Sequence, residues 1–214
     1  MRPAIIGFLA AAPLLLVHRF LPLRFNQWGS RGASSAAAVL FAVTFPFIAV
    51  GLVQRPSWTY PGGSWFVVAV ALFFLASAEE IVFRGFLLNT LCFGRNLFSG
   101  IILSSVLFAA VHSDNTGATL VGVINVAIIG VLLSLVRFFS GGLILPSVIH
   151  WFWNLITGMV FGWKVSGYTL PSLFRPGLHC VWGSFGPEGS ILLTVSLTAG
   201  IAAAVLTMRR HSLL

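Results

Sequence analysis

Long apolar runs alternate along this chain with short breaks rich in polar residues, glycine and proline. A spanning helix takes about 20 mainly apolar residues, and the pattern predicts seven, near 3–18, 35–54, 64–90, 97–113, 117–139, 142–162 and 190–208. The first run is short enough to be a signal peptide's apolar region. It ends in Val17-His18-Arg19-Phe20 without a small-x-small site before a polar start, so it reads as retained. The third is long enough to tilt or to continue past a membrane surface. The expected fold is therefore all-α: a polytopic transmembrane bundle of about seven spanning helices, one integral membrane domain over 1–214, with its core at 64–160.

Composition strengthens this reading. Apolar residues make up 58% and charged residues 7%, against roughly 45–50% and about 25% in soluble domains. Such a chain cannot build a charged shell. The net charge of +8 does not point to nucleic acid. The arginines stand at the ends of apolar runs, where headgroups can meet them, and no basic cluster with interleaved aromatics occurs. Arg19, Arg24, Arg31, Arg95, Arg137, Arg209 and Arg210 fall on one side of a seven-span layout, and Arg2, Arg55, Lys164 and Arg175 on the other. The first side is then cytoplasmic, with the N-terminus outside and a prokaryotic inner membrane as the expected setting. Cys92 and Cys180 fall on opposite sides and show no metal-ligand spacing or disulfide framework.

The long connection at 163–189 is expected on the outer side. It reads either as a lid or recognition element or as an interfacial loop anchored by Trp163, Tyr168 and Trp182. Pro46 and Pro146 are expected to kink their helices. Asn125 reads as interhelical glue, and Gly158 with Gly162 as a spacing that allows close helix packing.

Within this apolar background two of the chain's four acidic residues, Glu79 and Glu80, stand side by side. A carboxylate at the centre of a span costs about 2.5–3.5 kcal/mol, and such residues usually mark function. Glu80 and Arg84 share a helix face, so each offsets the other. Glu79 points about 100° away with no partner on its own helix. Two further runs carry polar groups four apart: Phe108 and His112, then His150 and Asn154. Polar groups facing lipid would be unsatisfied, so these sets are expected to converge inside the bundle. A Glu and a His can hold a water and take its proton; a second His and an amide can donate to an oxyanion. Ser77 and Ser104 have no nucleophile-elbow context and read as packing residues. Glu79, His112 and His150 suit zinc in residue type, but no HExxH helix is present.

Three motifs carry a family resemblance. Glu79-Glu80-Ile81-Val82-Phe83-Arg84 resembles EExxxR, Phe108 to His112 resembles FxxxH, and His150 to Asn154 resembles HxxxN. Together, in this order, they resemble the CPBP family of CAAX proteases and bacteriocin-processing enzymes, also called Abi. The resemblance covers about 64–160 and implies a glutamic intramembrane endopeptidase, with no cofactor and no metal expected and a zinc-dependent membrane protease as the alternative. By the resemblance, Glu79 is the general base with His112, His150 and Asn154 stabilise the oxyanion, and Glu80, Arg84 and Phe108 support them. The implied partners are the bilayer and a membrane-anchored protein or peptide substrate, either an exported protein with a C-terminal sorting helix or a CAAX protein. The rival classes are a proton-coupled transporter, against which stands the lack of an inverted repeat, and a non-catalytic immunity or scaffold protein.

Overall fold

A computed structural model describes residues 30–54, 56–92, 96–177 and 182–210, with backbone only at 30–37 and 207–210. The run expected at 3–18, five of the orienting arginines (Arg2, Arg19, Arg24, Arg55 and Arg95) and Cys180 lie outside the described residues. Among the described residues there are six helices: α1 Ser30–Val53, α2 Ser64–Cys92, α3 Leu97–His112, α4 Leu120–Ser140, α5 Ile144–Val160 and α6 Ile191–Arg210. Each falls on one of the apolar runs. Two of them, α2 and α4, are long and apolar enough to cross a membrane, whereas the apolar stretches of the other four are shorter.

Local chemistry sets the helix ends. The Asn96 side chain accepts from Ser99 N–H at 2.8 Å and starts α3. Thr119 Oγ1 accepts from Gly122 N–H at 3.0 Å and starts α4. Each satisfies an amide that the first turn leaves free. Gly141, at φ 69°, ends α4 in the left-handed conformation that favours glycine, and its N–H returns to Arg137 O. Pro146 sits in the first turn of α5 rather than at a kink; its missing N–H has no intrahelical partner there.

Around an apolar core, large apolar side chains also face outward while several polar ones are buried. Phe41, Phe66, Phe74, Phe98 and Ile191 are exposed, whereas Glu80, Arg84, Ser104, Ser105, Asn125, Ser134, Thr157 and Glu188 are buried. Helices α3 and α4 make the most extensive helix pair, followed by α1 with α6. At the α3–α4 crossing a Cβ on Gly130 would lie 2.8 Å from Ser105 Cβ and 2.9 Å from its Cα. A larger residue there must push the helices apart.

The long connection is tied down rather than free. Its strand β2, Phe174–Arg175, pairs antiparallel with β1, Ser57–Trp58, in the link between α1 and α2. Thr59 N–H donates to Leu173 O at 2.8 Å, and Leu173 N–H to Met159 O at 2.8 Å. Trp163 is not an interfacial anchor: it is buried, stacked on Phe161 at 4.8 Å and edge-on to Trp182 at 5.3 Å. Tyr168 is exposed, with its hydroxyl 3.4 Å from Asn115 Oδ1. Gly158 and Gly162 do not make a helix–helix contact here. A Cβ on Gly158 would meet Val165 and Leu170, and one on Gly162 would meet the Phe174 carbonyl, so this pair lets the connection fold back onto α5. Asn125 bridges α4 to the start of α6: Nδ2 donates to Glu188 O at 2.8 Å and Ser190 O at 2.9 Å, and Thr194 Oγ1 donates to Asn125 Oδ1 at 2.7 Å.

Candidate active site

Two of the three helices that carry the motif residues, α2 and α5, depart from α-helical winding just after them. Helix α2 widens over Ile81–Leu87, where Leu88 N–H reaches back five residues to Phe83 O. Helix α5 widens over Leu155–Val160, where Phe161 N–H reaches Ile156 O. One widened turn follows Glu79-Glu80 and the other follows His150 and Asn154. Such bulges recur at functional sites because they re-aim a face without breaking the helix. Periodicity in the sequence carries no sign of them.

Glu80 is fully buried. Its Oε1 accepts from Arg84 Nη1–H at 2.9 Å within α2, and the same oxygen lies 2.9 Å from His150 Nδ1 of α5. The other ring nitrogen of His150, Nε2, lies 3.8 Å from Glu79 Oε2. The imidazole thus lies between the two glutamates: it hydrogen-bonds Glu80, and its imidazolium form would also pair electrostatically with Glu79. The Glu79 side chain keeps a quarter of its surface exposed, against a tenth for His150. Adjacent glutamates therefore have different surroundings: Glu80 is enclosed between Arg84 and His150, and Glu79 faces accessible space.

Arg84 is also buried. Its Nη2–H donates to the Gly130 carbonyl of α4 at 3.3 Å, and its guanidinium carbon stands 4.3 Å over the Phe108 ring. Phe108 joins the three motifs physically. Its ring centroid is 4.6 Å from that of His112 and 6.1 Å, edge-on, from that of His150. Phe83 closes against its other side at 5.0 Å. A cation over an aromatic face is worth about 2 kcal/mol when desolvated, so Phe108 helps to hold the guanidinium that balances Glu80.

His112, the last residue of α3, bonds through Nδ1 to the Phe108 carbonyl at 2.7 Å. A carbonyl only accepts, so Nδ1 carries the proton and Nε2 is left available as a base. The Glu79 charge acts on both His112 and His150. Asn154 ends the regular part of α5, four residues after His150, and its side chain makes no hydrogen bond with the described residues. Ser104 is buried in α3 and Ser77 half-buried in α2; their hydroxyls donate to Ile101 O and Phe73 O, each within its own helix. Among the described residues no group of three or more His, Cys, Asp or Glu is arranged to hold a metal ion.

Residues 61–156 match the family described as Type II CAAX prenyl endopeptidase Rce1-like. This part of the chain is similar to the Rce1-like family. The Rce1-like segment contains all seven residues singled out by the three motifs and ends two residues beyond Asn154. The chain is also similar to an uncharacterized 24.3 kDa protein of Escherichia coli, 33% identical over 98 residues, which cover 44% of this chain and 43% of that relative. The chain thus spans less than half the length of the curated relative it matches. No solved structure matches it.

One buried acid escaped the motif reading. Glu188 lies beyond the Rce1-like segment, in the short 3₁₀ turn Pro187–Gly189, and accepts from the indole of Trp153, next to Asn154, at 3.0 Å. It is one of only four acidic residues, a rarity that could have drawn notice. Nothing local pairs it with Trp153.

Proposed function

We propose that this chain is a multi-pass intramembrane endopeptidase that hydrolyses a peptide bond of a membrane-associated protein without a covalent enzyme intermediate. The observation that carries this reading is His150 held between Glu79 and Glu80, with His112 in the field of the same Glu79. Exposed apolar faces around a buried polar centre support placement in a bilayer.

In this mechanism Glu79, with His112 Nε2 beside it, takes one proton from a water as its oxygen attacks the scissile carbonyl carbon. Negative charge moves to the carbonyl oxygen. His150, as the imidazolium, and the free amide of Asn154 donate to that oxyanion. The C–N bond then breaks, and the proton held at the Glu79–His112 pair passes to the leaving amine. Glu80 and Arg84 do not touch the substrate. They hold His150 in register and keep the buried charge balanced.

The substrate favoured is an exported protein whose C-terminal sorting helix is trimmed, with a CAAX protein as the second candidate. His112 lies at the end of α3 that runs into the turn Asn115–Gly117, and the long connection seats against that turn. This supports access from the side on which the connection lies.

The test is cleavage of membrane-embedded reporter peptides by purified protein in liposomes. Glu79→Gln and His112→Ala should abolish turnover while the proteins still insert and fold. Activity resistant to chelators separates water activation by glutamate from zinc chemistry. Proton-coupled uptake without cleavage of any peptide would replace this reading with a transporter.

A further inference from the structure

Glu188 is buried to 2% exposure and is absent from the mechanism above. Its Oε1 accepts from Trp153 Nε1–H at 3.0 Å, and the backbone N–H groups of Ser166 and of Glu188 itself also point to the carboxyl. Burial pushes the carboxyl up to about 7. An acid this deeply buried is costly even with these donors around it, and calls for a use.

Its backbone is as firmly held as its side chain. Asn125 of α4 clamps the Glu188 and Ser190 carbonyls. Gly186, at φ 93°, brings the turn against the Lys164 carbonyl, where a Cβ would collide. The carboxyl is thereby a fixed point, set from α4 and α6, against which α5 registers. What it holds is Trp153, a buried ring packed edge-on to Phe47 at 5.0 Å. Trp153 lies three residues after His150 and one before Asn154, just before the widened turn at Leu155–Val160. Just before that change of winding, α5 is tied to α2 on one face by Trp151 Nε1–H, which donates to Ala69 O at 2.9 Å, and on another by the Trp153–Glu188 bond, so the two faces together set its rotation.

We propose that Glu188 is a positioning residue: through its hydrogen bond to Trp153 it sets the rotation of α5 that presents His150 and Asn154 to the hydrolytic centre. This rests on the function proposed above and deepens it, since it gives the long connection a part in building the site.

The experiment compares Glu188→Gln, Glu188→Ala, Trp153→Phe and the double variant Glu188→Ala/Trp153→Phe in the liposome assay. It also records the ring-nitrogen signals of His150 in histidine-labelled protein. Glutamine keeps an oxygen that accepts from Trp153, so its kcat should stay within about threefold of the native value. Glu188→Ala and Trp153→Phe should each lower kcat at least tenfold with KM within about twofold, and the double variant should be no worse than either. The His150 signals should shift in both single variants and stay in place in Glu188→Gln. Folded Glu188→Ala with native kcat and native His150 signals overturns the proposal, as do losses that multiply in the double variant. If Glu188→Ala does not fold, Trp153→Phe carries the same comparison. If the native protein cleaves no peptide, the proposed function fails, and the His150 signals still decide whether Glu188 positions α5.

Discussion

Arg84 and His150 meet at a single oxygen: Glu80 Oε1 lies 2.9 Å from the Arg84 guanidinium and 2.9 Å from His150 Nδ1. One carboxylate thus neutralises a buried cation on its own helix and orients an imidazole on another. Removing one partner of a buried pair leaves the other charge uncompensated, which costs about 3–5 kcal/mol. Glu80→Ala should therefore fail to accumulate as folded protein, measured as yield of monodisperse protein in detergent. Glu79→Gln removes a partly exposed carboxylate and should lose turnover with a stability change of about 1 kcal/mol or less. Native-like activity in a folded Glu80→Ala protein would dissolve the division of labour between the two glutamates.

Phe108 offers a second check. Its ring contacts Arg84, His112 and His150. Phe108→Ala should destabilise by about 3–5 kcal/mol through the cavity it leaves. Phe108→Leu preserves much of the volume but loses the π face. It should cost less stability and still reduce kcat, because the guanidinium and both imidazoles lose the surface they rest on. Thermal unfolding and turnover, measured on the same preparations, separate the two effects.

Gly130 is the point where helix packing and charge balance coincide. Its carbonyl accepts from Arg84 at 3.3 Å, and its missing side chain lets α4 meet Ser105 of α3. Gly130→Ala should lower the melting temperature and also reduce turnover, since moving α4 away draws an acceptor from Arg84. Gly141→Ala instead puts strain on an open left-handed turn. It should cost about 1 kcal/mol and leave kcat unchanged.

Glu188 predicts a pH dependence of stability. Its carboxyl is raised from 4.5 to about 7, so between those values the unfolded chain has released a proton that the folded protein keeps. Stability is then greatest below about 4.5 and falls as pH rises to about 7, by about 3 kcal/mol at roughly 1.4 kcal/mol per unit. His150 is the titratable neighbour whose charge opposes the shift, which makes this an upper figure. Glu188→Gln should remove this component of the slope. An unchanged pH profile of thermal unfolding in that variant would mean that the carboxyl is ionised throughout.

The helices and the local polar pairs could be read from residue order alone. Apolar run length placed α1 to α6, because burying about 20 residues of side chain outweighs every other local preference in this chain. Four-residue spacing placed Arg84 against Glu80 and set Glu79 apart, because winding is local. The shared oxygen on Glu80, the carbonyl of Gly130 beneath Arg84 and the indole of Trp153 on Glu188 could not be read this way. They join residues 70, 46 and 35 positions apart, and each depends on how closely helices cross and where α2 and α5 widen. Those are outcomes of packing the whole bundle, for which short-range periodicity carries no signal.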